Sequence, residues 1–446
     1  MTLPNYFLAD LPPAAELTPA LVTEACQTLK RNRLQYLLPR TTSSTIHLLD
    51  ALGREWLQSD SPFRTFVLKE GPSQTGFGDR TLSNGLDTFF KQLTAENLEA
   101  LIQQELGSIN RLDQFEKGAI ARGPELLAHI GAGNIPTAIL RDIVLGLLTR
   151  SAQFVKCASR QSFIPRIFAH SVYEADAKLG ACIEIAEWKG GTEILDAAVF
   201  AEADCVSVTG SDETLAAVRN KLPVKTRFLG YGTRVSFTFI TREALARDTK
   251  QLAKFAAHDI AAWDQQGCLS PHVIYVESGG KVTPELFAQR LSEELDALEN
   301  HQPRARLKAA EAAAIATRRS FYEVRAAHSP ETQMWASTNS TAWTVIFEGD
   351  PRFQVSCLNR FVYVKPVADL THALQAAEMV RDKTSTVAIG SNASQSNDLA
   401  VQLARWGATR ICPLGQMQNP PLTWRHDGRP PLADLITWIN LETTDH

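Results

Sequence analysis

The residue types best suited to chemistry here are thiols. Seven cysteines are present, at positions 26, 157, 182, 205, 268, 357 and 412. Their number is odd, they are widely spread, and no C-x-x-C pair occurs. Neither a disulfide framework nor a zinc ribbon is indicated, so reduced thiols are the better reading. Cys268 stands apart from the rest. It follows a long helical pattern and Gly267, and it precedes Pro271 and a strand-like run, which places it on a connection. Cys157, Cys182 and Cys205 fall in apolar strand-like runs, where burial is expected. A free thiol has a pKa of about 8.5 and is only a few per cent thiolate at neutral pH. It still attacks carbonyls and thioesters well. The competing reading of Cys268 is a small buried hydrophobe.

Other polar residues fall at comparable places. Gly131-Ala132-Gly133-Asn134-Ile135-Pro136 follows an apolar run, but Pro136 stands where a dinucleotide fingerprint needs its third glycine. Asn134 reads two ways: an amide donor to a developing oxyanion, or a turn asparagine capping the next helix. Lys156, with Ser159 three residues on, could meet a ribose hydroxyl or a phosphate; alternatively it is an edge lysine reaching solvent. Thr209-Gly210-Ser211-Asp212 ends a strand and opens a helix, where backbone amides can hold a pyrophosphate or Ser211 can serve as an N-cap. His258, His272 and His426 are the histidines nearest these motifs. None has metal-ligand spacing, no H-E-x-x-H occurs, and no metal site is expected.

The elements around these residues alternate. Strand patterns at Leu126–Ile130, Phe154–Ala158, Cys182–Ala186 and Cys205–Thr209 are followed by helical patterns at 137–149, 164–179, 193–201 and 212–221. Short connections between them argue for a parallel sheet with helices on both faces. Such sheets bind ligands at the carboxyl ends of their strands, and Gly131, Asn134, Gly190, Gly210 and Ser211 fall at such ends. A second α/β layer is expected after the strand Val235–Phe239. It contains a long helix at 242–263, strands at 272–276, 343–347, 361–367, 386–389 and 410–412, and helices at 370–381 and 398–406. The Ala-rich, charged stretch 304–325 reads as an exposed helix, and 432–439 as a terminal helix. Helical patterns also cover 21–37 and 86–106.

Composition narrows the class. The chain has 446 residues, 44% hydrophobic and 21% charged, which is ample for a core and excludes wholesale disorder. A net charge of −4 does not suit a generic polyanion binder, so nucleic acid is not an expected partner. The most apolar stretch, Ile139–Leu148, is interrupted by Arg141 and Asp142, so no membrane span is expected. Met1–Leu11 has no Lys or Arg and no signal-peptide core, and a cytoplasmic protein is expected.

Taken together, the motifs resemble the aldehyde dehydrogenase superfamily, and most closely its acyl-CoA reductase branch, the family of the fatty-acid reductase subunit of bacterial bioluminescence. The matching segments are Gly131–Pro136, Lys156–Ser159, Ala203–Thr214, Asp264-Gln265-Gln266-Gly267-Cys268-Leu269-Ser270-Pro271 and His426-Asp427-Gly428. The Cys268 block is the most specific of them. The resemblance implies an α/β fold of two Rossmann-like lobes with parallel sheets facing a central cleft. On that pattern residues 1–90 form a partly helical N-terminal segment and 91–233 a cofactor-binding domain. Residues 234–415 form a catalytic domain, and 416–446 a C-terminal return segment. The implied activity is NAD(P)H-dependent reduction of an acyl-CoA to an aldehyde through a thioacyl enzyme. Cys268 is then the nucleophile, and Asn134 an oxyanion donor beside the Cys268 backbone amide. Lys156 and Ser159 contact the adenosine ribose or its phosphate, and Gly210 and Ser211 lie by the pyrophosphate. Gly133, Gly191 and Thr209 complete the cofactor set. Lys156 with Ser159 favours NADPH, with NADH the alternative.

One departure matters. Hydrolytic aldehyde dehydrogenases carry a water-activating glutamate in a Glu-Leu-Gly-Gly-Lys segment, and the corresponding stretch here, Phe228–Arg234, has no carboxylate. A thioacyl enzyme lacking that base is expected to persist until hydride or a thiol arrives. Two other readings stand beside this one: an acyl-phosphate reductase of the same fold, and a non-catalytic nucleotide-binding homologue. The expected partners are an acyl-CoA or acyl-carrier substrate, and a second copy of the chain or an acyl-transferring enzyme.

Overall fold

A computed structural model describes residues 3–442 apart from Pro13 and Ala132, so Ala132 of the Gly131–Pro136 motif lies outside the described residues. The chain divides into two compact units. The first holds the chain up to Thr75, Ser83–Gly232, and the chain from Pro421; the second holds Gly76–Leu82 and Thr233–Pro420.

In the first unit a short strand, β1 (Ala119–Arg122), precedes β2 (Leu126–Ile130), β3 (Ala152–Cys157), β4 (Ile183–Glu187), β5 (Cys205–Thr209) and β6 (Arg227–Tyr231). The last five form a parallel sheet in the order β4-β3-β2-β5-β6. Short apolar runs without alternation suit strands covered on both faces. Ala128 of β2, Phe154 of β3, and Val206 and Val208 of β5 pack on one face against Val22 and Leu29 of the helix Pro19–Asn32, and against Val199 and Phe200 of the helix Glu193–Glu202. The intervening side chains point the other way. There Gln153 donates to the Ile143 carbonyl at 3.0 Å and meets His129 Nε2 at 2.9 Å. Gly146 makes this approach possible, since a Cβ at that position would lie 2.2 Å from the Gln153 side chain. The pattern at 86–106 resolves into two helices, Asp79–Phe90 and Ala95–Leu106. Thr94 caps the second by accepting from the Asn97 N–H at 3.2 Å.

The second unit contains β7 (Val235–Ile240), β8 (Pro271–Glu277), β9 (Thr332–Ala336), β10 (Thr344–Glu348), β11 (Phe361–Val367), β12 (Thr384–Gly390) and β13 (Arg410–Pro413). They form one sheet in the order β13-β12-β7-β8-β11-β10-β9, parallel except for the edge strand β9. The two-residue period of a strand divides this core in two. Ile274, Val276, Val362 and Val364 face the helices Arg242–Ala261 and Pro284–Glu299. Val273, Tyr275, Phe361 and Tyr363 face Ile315, Tyr322, Leu370 and Leu403. The stretch read as an exposed helix is largely exposed, and the reading needs correction at two positions only. It is the helix Ala309–His328, and it buries Ile315 and Tyr322 while Arg319 reaches the carbonyls of Ser340 and Trp343 at 2.6 and 2.7 Å. One apolar residue per two turns was too sparse to show that face.

A second correction concerns the tail. Residues 432–439 are not a helix. After a single turn at Ala433–Leu435, β14 (Thr437–Asn440) pairs antiparallel with β1. β-Branched and aromatic residues at 436–439 favour this. Arg227 also takes the carbonyls of Asp434 and Ile436, at 3.1 and 2.8 Å, that a helix would have used.

Candidate active site

Cys268 follows a backbone under strain. Trp263, Asp264 and Gln265 all have positive φ, at 50, 49 and 63°. Leu358, Asn359 and Arg360, in a second loop, do too, at 59, 57 and 63°. Left-handed conformations cost non-glycine residues roughly 1 kcal/mol or more each, so other interactions must hold both loops. The two loops hold one another. The Gln265 amide donates to the carbonyls of Pro271 and Phe361, at 2.8 and 2.9 Å, and accepts from the Phe361 N–H at 2.8 Å. Gln266 donates to Asn359 Oδ1 at 2.7 Å. The fully buried Arg360 guanidinium binds Asp264 Oδ1 at 2.6 Å and Glu299 Oε2 at 2.9 Å. Asp264 also accepts from the Ala305 N–H, and Trp263 packs edge-on against Phe77.

Beyond the strained turn the backbone of Cys268 is pinned. Ser236 Oγ donates to the Cys268 carbonyl at 2.7 Å and accepts from the Thr386 N–H at 3.1 Å. Gln418 Nε2 donates to Ser270 Oγ at 2.8 Å. The thiol is half-buried. The buried Arg410 guanidinium interacts electrostatically with it. Cys26, Cys157, Cys182, Cys205 and Cys412 are buried, and loss of solvation pushes each thiol up to about 12. Cys357 is also half-buried, and burial raises its pKa.

None of the three histidines stands out as a base. His272 is buried on β8, and its Nδ1 accepts from the Ser356 N–H at 3.2 Å while lying 3.0 Å from Ser356 Oγ. Burial lowers its pKa to about 4, so it holds the second loop as a neutral ring. His258 is exposed on its helix. His426 lies in the first unit, stacked on Tyr231 with ring centroids 4.5 Å apart.

The candidate cofactor residues gather at the carboxyl ends of the five-stranded sheet, where the strand order reverses between β2 and β5. Gly133 and Asn134 follow β2. Lys156 ends β3 with Ser159 beyond it, Gly191 lies beyond β4, and Thr209-Gly210-Ser211 closes β5. Cys268 belongs to the other unit. Lys156 is not an edge lysine, since β3 lies between β2 and β4 and the residue is 4% exposed. Its Nζ sits 5.9 Å from the Trp188 ring centroid, and desolvation lowers its pKa. The nearby carboxylates are engaged elsewhere: Asp196 by Trp188 Nε1 at 2.8 Å, and Glu187 by Ser162 Oγ at 2.6 Å. A buried ammonium so placed fits a ligand oxygen. Space beside Gly190 and Gly191 is open, and Gly191 has a φ of 81°. Ser211 is the N-cap of the helix Asp212–Arg219, accepting from the Thr214 N–H at 3.3 Å. The helix after Asn134 takes Thr137 as its N-cap position, and Asn134 is exposed ahead of it.

Sequence reasoning missed Arg410, Ser236 and Arg360. Each stands in a different strand or loop from Cys268, and no spacing connects them.

Two sheet-based units, each with helices packed on its strands, define an aldehyde dehydrogenase-like α/β fold. A benzaldehyde dehydrogenase from Corynebacterium glutamicum superposes with a TM-score of 0.70 over 96% of this chain and 91% of its own, at 13% identity. A putative aldehyde dehydrogenase from Anabaena variabilis gives 0.67 over 97% and 95%, at 16% identity. The family model described as Acyl-CoA reductase (LuxC) matches residues 37–438. The chain belongs to that family, and is thus an oxidoreductase acting on acyl thioesters. Among similar proteins is a long-chain acyl-protein thioester reductase from Aliivibrio fischeri, 24% identical over 89% of this chain and 81% of its own. Another is long-chain acyl-protein thioester reductase 2 from Photobacterium leiognathi, 23% identical over 90% and 83%.

Proposed function

We propose that this enzyme reduces a long-chain acyl thioester, carried on CoA or on a protein, to the aldehyde, with Cys268 as acyl acceptor. The observation supporting this most directly is the half-buried thiol held by a doubly braced, strained loop near a buried guanidinium. Five of the other six cysteines are buried with raised pKa values, and no second thiol is held in this way.

On this reading the Cys268 thiolate attacks the thioester carbonyl, a new C–S bond forms, and the carrier thiolate leaves. The Cys268 backbone amide donates to the oxyanion; loss of one such donor typically costs about 3 kcal/mol of barrier. A reduced nicotinamide, when bound, supplies a hydride. Gly133, Gly191, Thr209, Gly210 and Ser211 would hold its phosphate end, with Lys156 and Ser159 at the ribose. The ammonium of Lys156 favours NADPH over NADH. Cys268 departs as thiolate when the oxygen of its thiohemiacetal re-forms a carbonyl, and the aldehyde is released. The absence of a carboxylate in Phe228–Arg234 favours reduction over hydrolysis. This reading places the enzyme in the cytoplasm, where unpaired cysteines are expected.

Mass spectrometry after incubation with acyl-CoA and no reductant is expected to find one acyl adduct, on Cys268. Cys268→Ala is expected to lose both the adduct and NADPH-dependent aldehyde formation. Turnover like that of the parent protein in this variant would refute the assignment.

A further inference from the structure

Arg410 opens β13 at the same sheet end as the Cys268 loop. It is 7% exposed, and its guanidinium donates to the carbonyls of Met417 and Gln416 at 2.6 and 2.7 Å, with Thr386 Oγ1 at 3.5 Å. Two of these contacts lead to the nucleophile. Thr386 donates its N–H to Ser236 Oγ, which donates to the Cys268 carbonyl. The turn whose carbonyls Arg410 binds also carries Gln418, which holds Ser270 two residues after the cysteine. From the opposite side Asp259, on the helix Arg242–Ala261, accepts from the N–H groups of Gly415 and Met417 at 2.7 and 3.0 Å. One turn is thus clasped between a buried cation and a buried carboxyl, and it abuts the reactive loop.

We propose that Arg410 is a positioning residue for acyl transfer, braced by the Gly415–Gln418 turn so that its fixed positive charge faces the Cys268 sulfur and stabilises the thiolate. This rests on Cys268 being the nucleophile. The groups acting on Arg410 are Cys268 itself, Cys412 on its own strand, and Asp259. Burial raises the Asp259 carboxyl to about 7, so its negative charge opposes that of Arg410 above neutrality. Near Cys268 in sequence, Asp264 is locked to Arg360, and His272 is neutral and bound to Ser356. Arg410 is a buried cation whose charge acts on the thiol. An adjacent charge of this kind is how proteins lower thiol pKa values.

The test is the pH profile of iodoacetamide alkylation at Cys268, read in full-length protein with Cys357→Ala so that one accessible thiol remains. The parent midpoint is expected below the free-thiol value of about 8.5. Arg410→Gln is expected to raise it by about one pH unit, a loss of about tenfold in thiolate at pH 7. Arg410→Lys keeps the charge and is expected to keep most of the shift. Asp259→Asn removes the opposing charge and is expected to move the midpoint the other way. General loosening of the loop cannot produce shifts of opposite sign. A parent midpoint at or above about 8.5 overturns the proposal, as does a folded Arg410→Gln protein with an unmoved profile, or equal shifts in the Gln and Lys variants. Should Arg410→Gln fail to fold, the parent midpoint and the Asp259→Asn shift decide. Acyl-adduct mass spectrometry on the same proteins separates the two ideas. An unacylated Cys268 removes the proposed function, whereas an acylated Cys268 with a charge-independent profile removes only the role of Arg410.

Discussion

At the scale of single residues, the seven thiols are the same group in different solvents. A thiolate needs water or a cation to be stable, and a strand core offers neither. Burial therefore pushes Cys26, Cys157, Cys182, Cys205 and Cys412 up to about 12, whereas Cys268 keeps access to solvent and a guanidinium nearby. In native protein at pH 7.5, a maleimide is expected to modify Cys268 first and Cys357 more slowly. The remaining five should react only after denaturation. Peptide mapping of partly labelled protein checks this order, and early modification of Cys157 or Cys205 would contradict the burial argument. The residue-scale reading of Cys268 came from its place after Gly267 and before Pro271. That reading held for exposure: Cys268 is half-buried, whereas Ser270, two residues on, is fully buried. Asn134 shows the converse. Its identity left the oxyanion donor and the cap open, and only the structure placed it four residues before the helix start at Ala138.

At the scale of elements, the reactive loop is a pair of loops. Six left-handed residues, three on each side, are held by Gln265, by the buried Asp264–Arg360 ion pair and by the half-buried Glu299 that Arg360 also binds. Burying charges is costly, and breaking such a set from one side leaves a carboxylate without compensation. Arg360→Met is therefore expected to destabilise the protein by about 3–5 kcal/mol, read from urea unfolding, and to slow Cys268 acylation even where the variant remains folded. A loss below about 1 kcal/mol would mean that the strain is not balanced by this pair. The sequence showed the helix before Cys268 and the strand after it. It did not show the second loop, because residues 356–361 meet residues 263–268 only through the pairing of β8 with β11.

At the scale of the whole molecule, buried titratable groups set how stability depends on pH. His129 and His272 are held neutral, with pKa lowered to about 4 from 6.5 by burial. The unfolded chain binds protons first as pH falls, so the stability these two provide is complete above 6.5 and is lost toward 4. Glu184 and Asp259 act in the opposite sense. Burial raises them to about 8 and about 7, from 4.5 and 3.8. What they provide is complete below those lower values and is lost as pH rises through 7 and 8. Glu184 accepts from the Leu8 N–H at 2.7 Å, and a glutamine amide oxygen can do the same without charge. Glu184→Gln is therefore expected to raise the melting temperature over the parent, with a gap that widens from about pH 5 to pH 8. A gap that stays constant or narrows would show that Glu184 is not held protonated.

Local order was legible in the sequence alone. Strands β2 to β5 and the helices between them follow from runs of apolar residues punctuated by glycine, and the parallel sheet follows from their alternation. The Cys268 block singled out one thiol because few residue orders place a cysteine at such a junction. Tertiary structure alone decided what surrounds these positions. The strand at 437–440 exists because β1 offers it a partner, and the helix 309–328 turns Tyr322 inward because a sheet lies beneath it. Arg410 and Cys268 come to interact electrostatically because β12 and β7 carry two distant segments to the same sheet end. Propensity and periodicity act over a few neighbouring residues. Electrostatic fields and packing act through space, between groups that sequence distance does not relate.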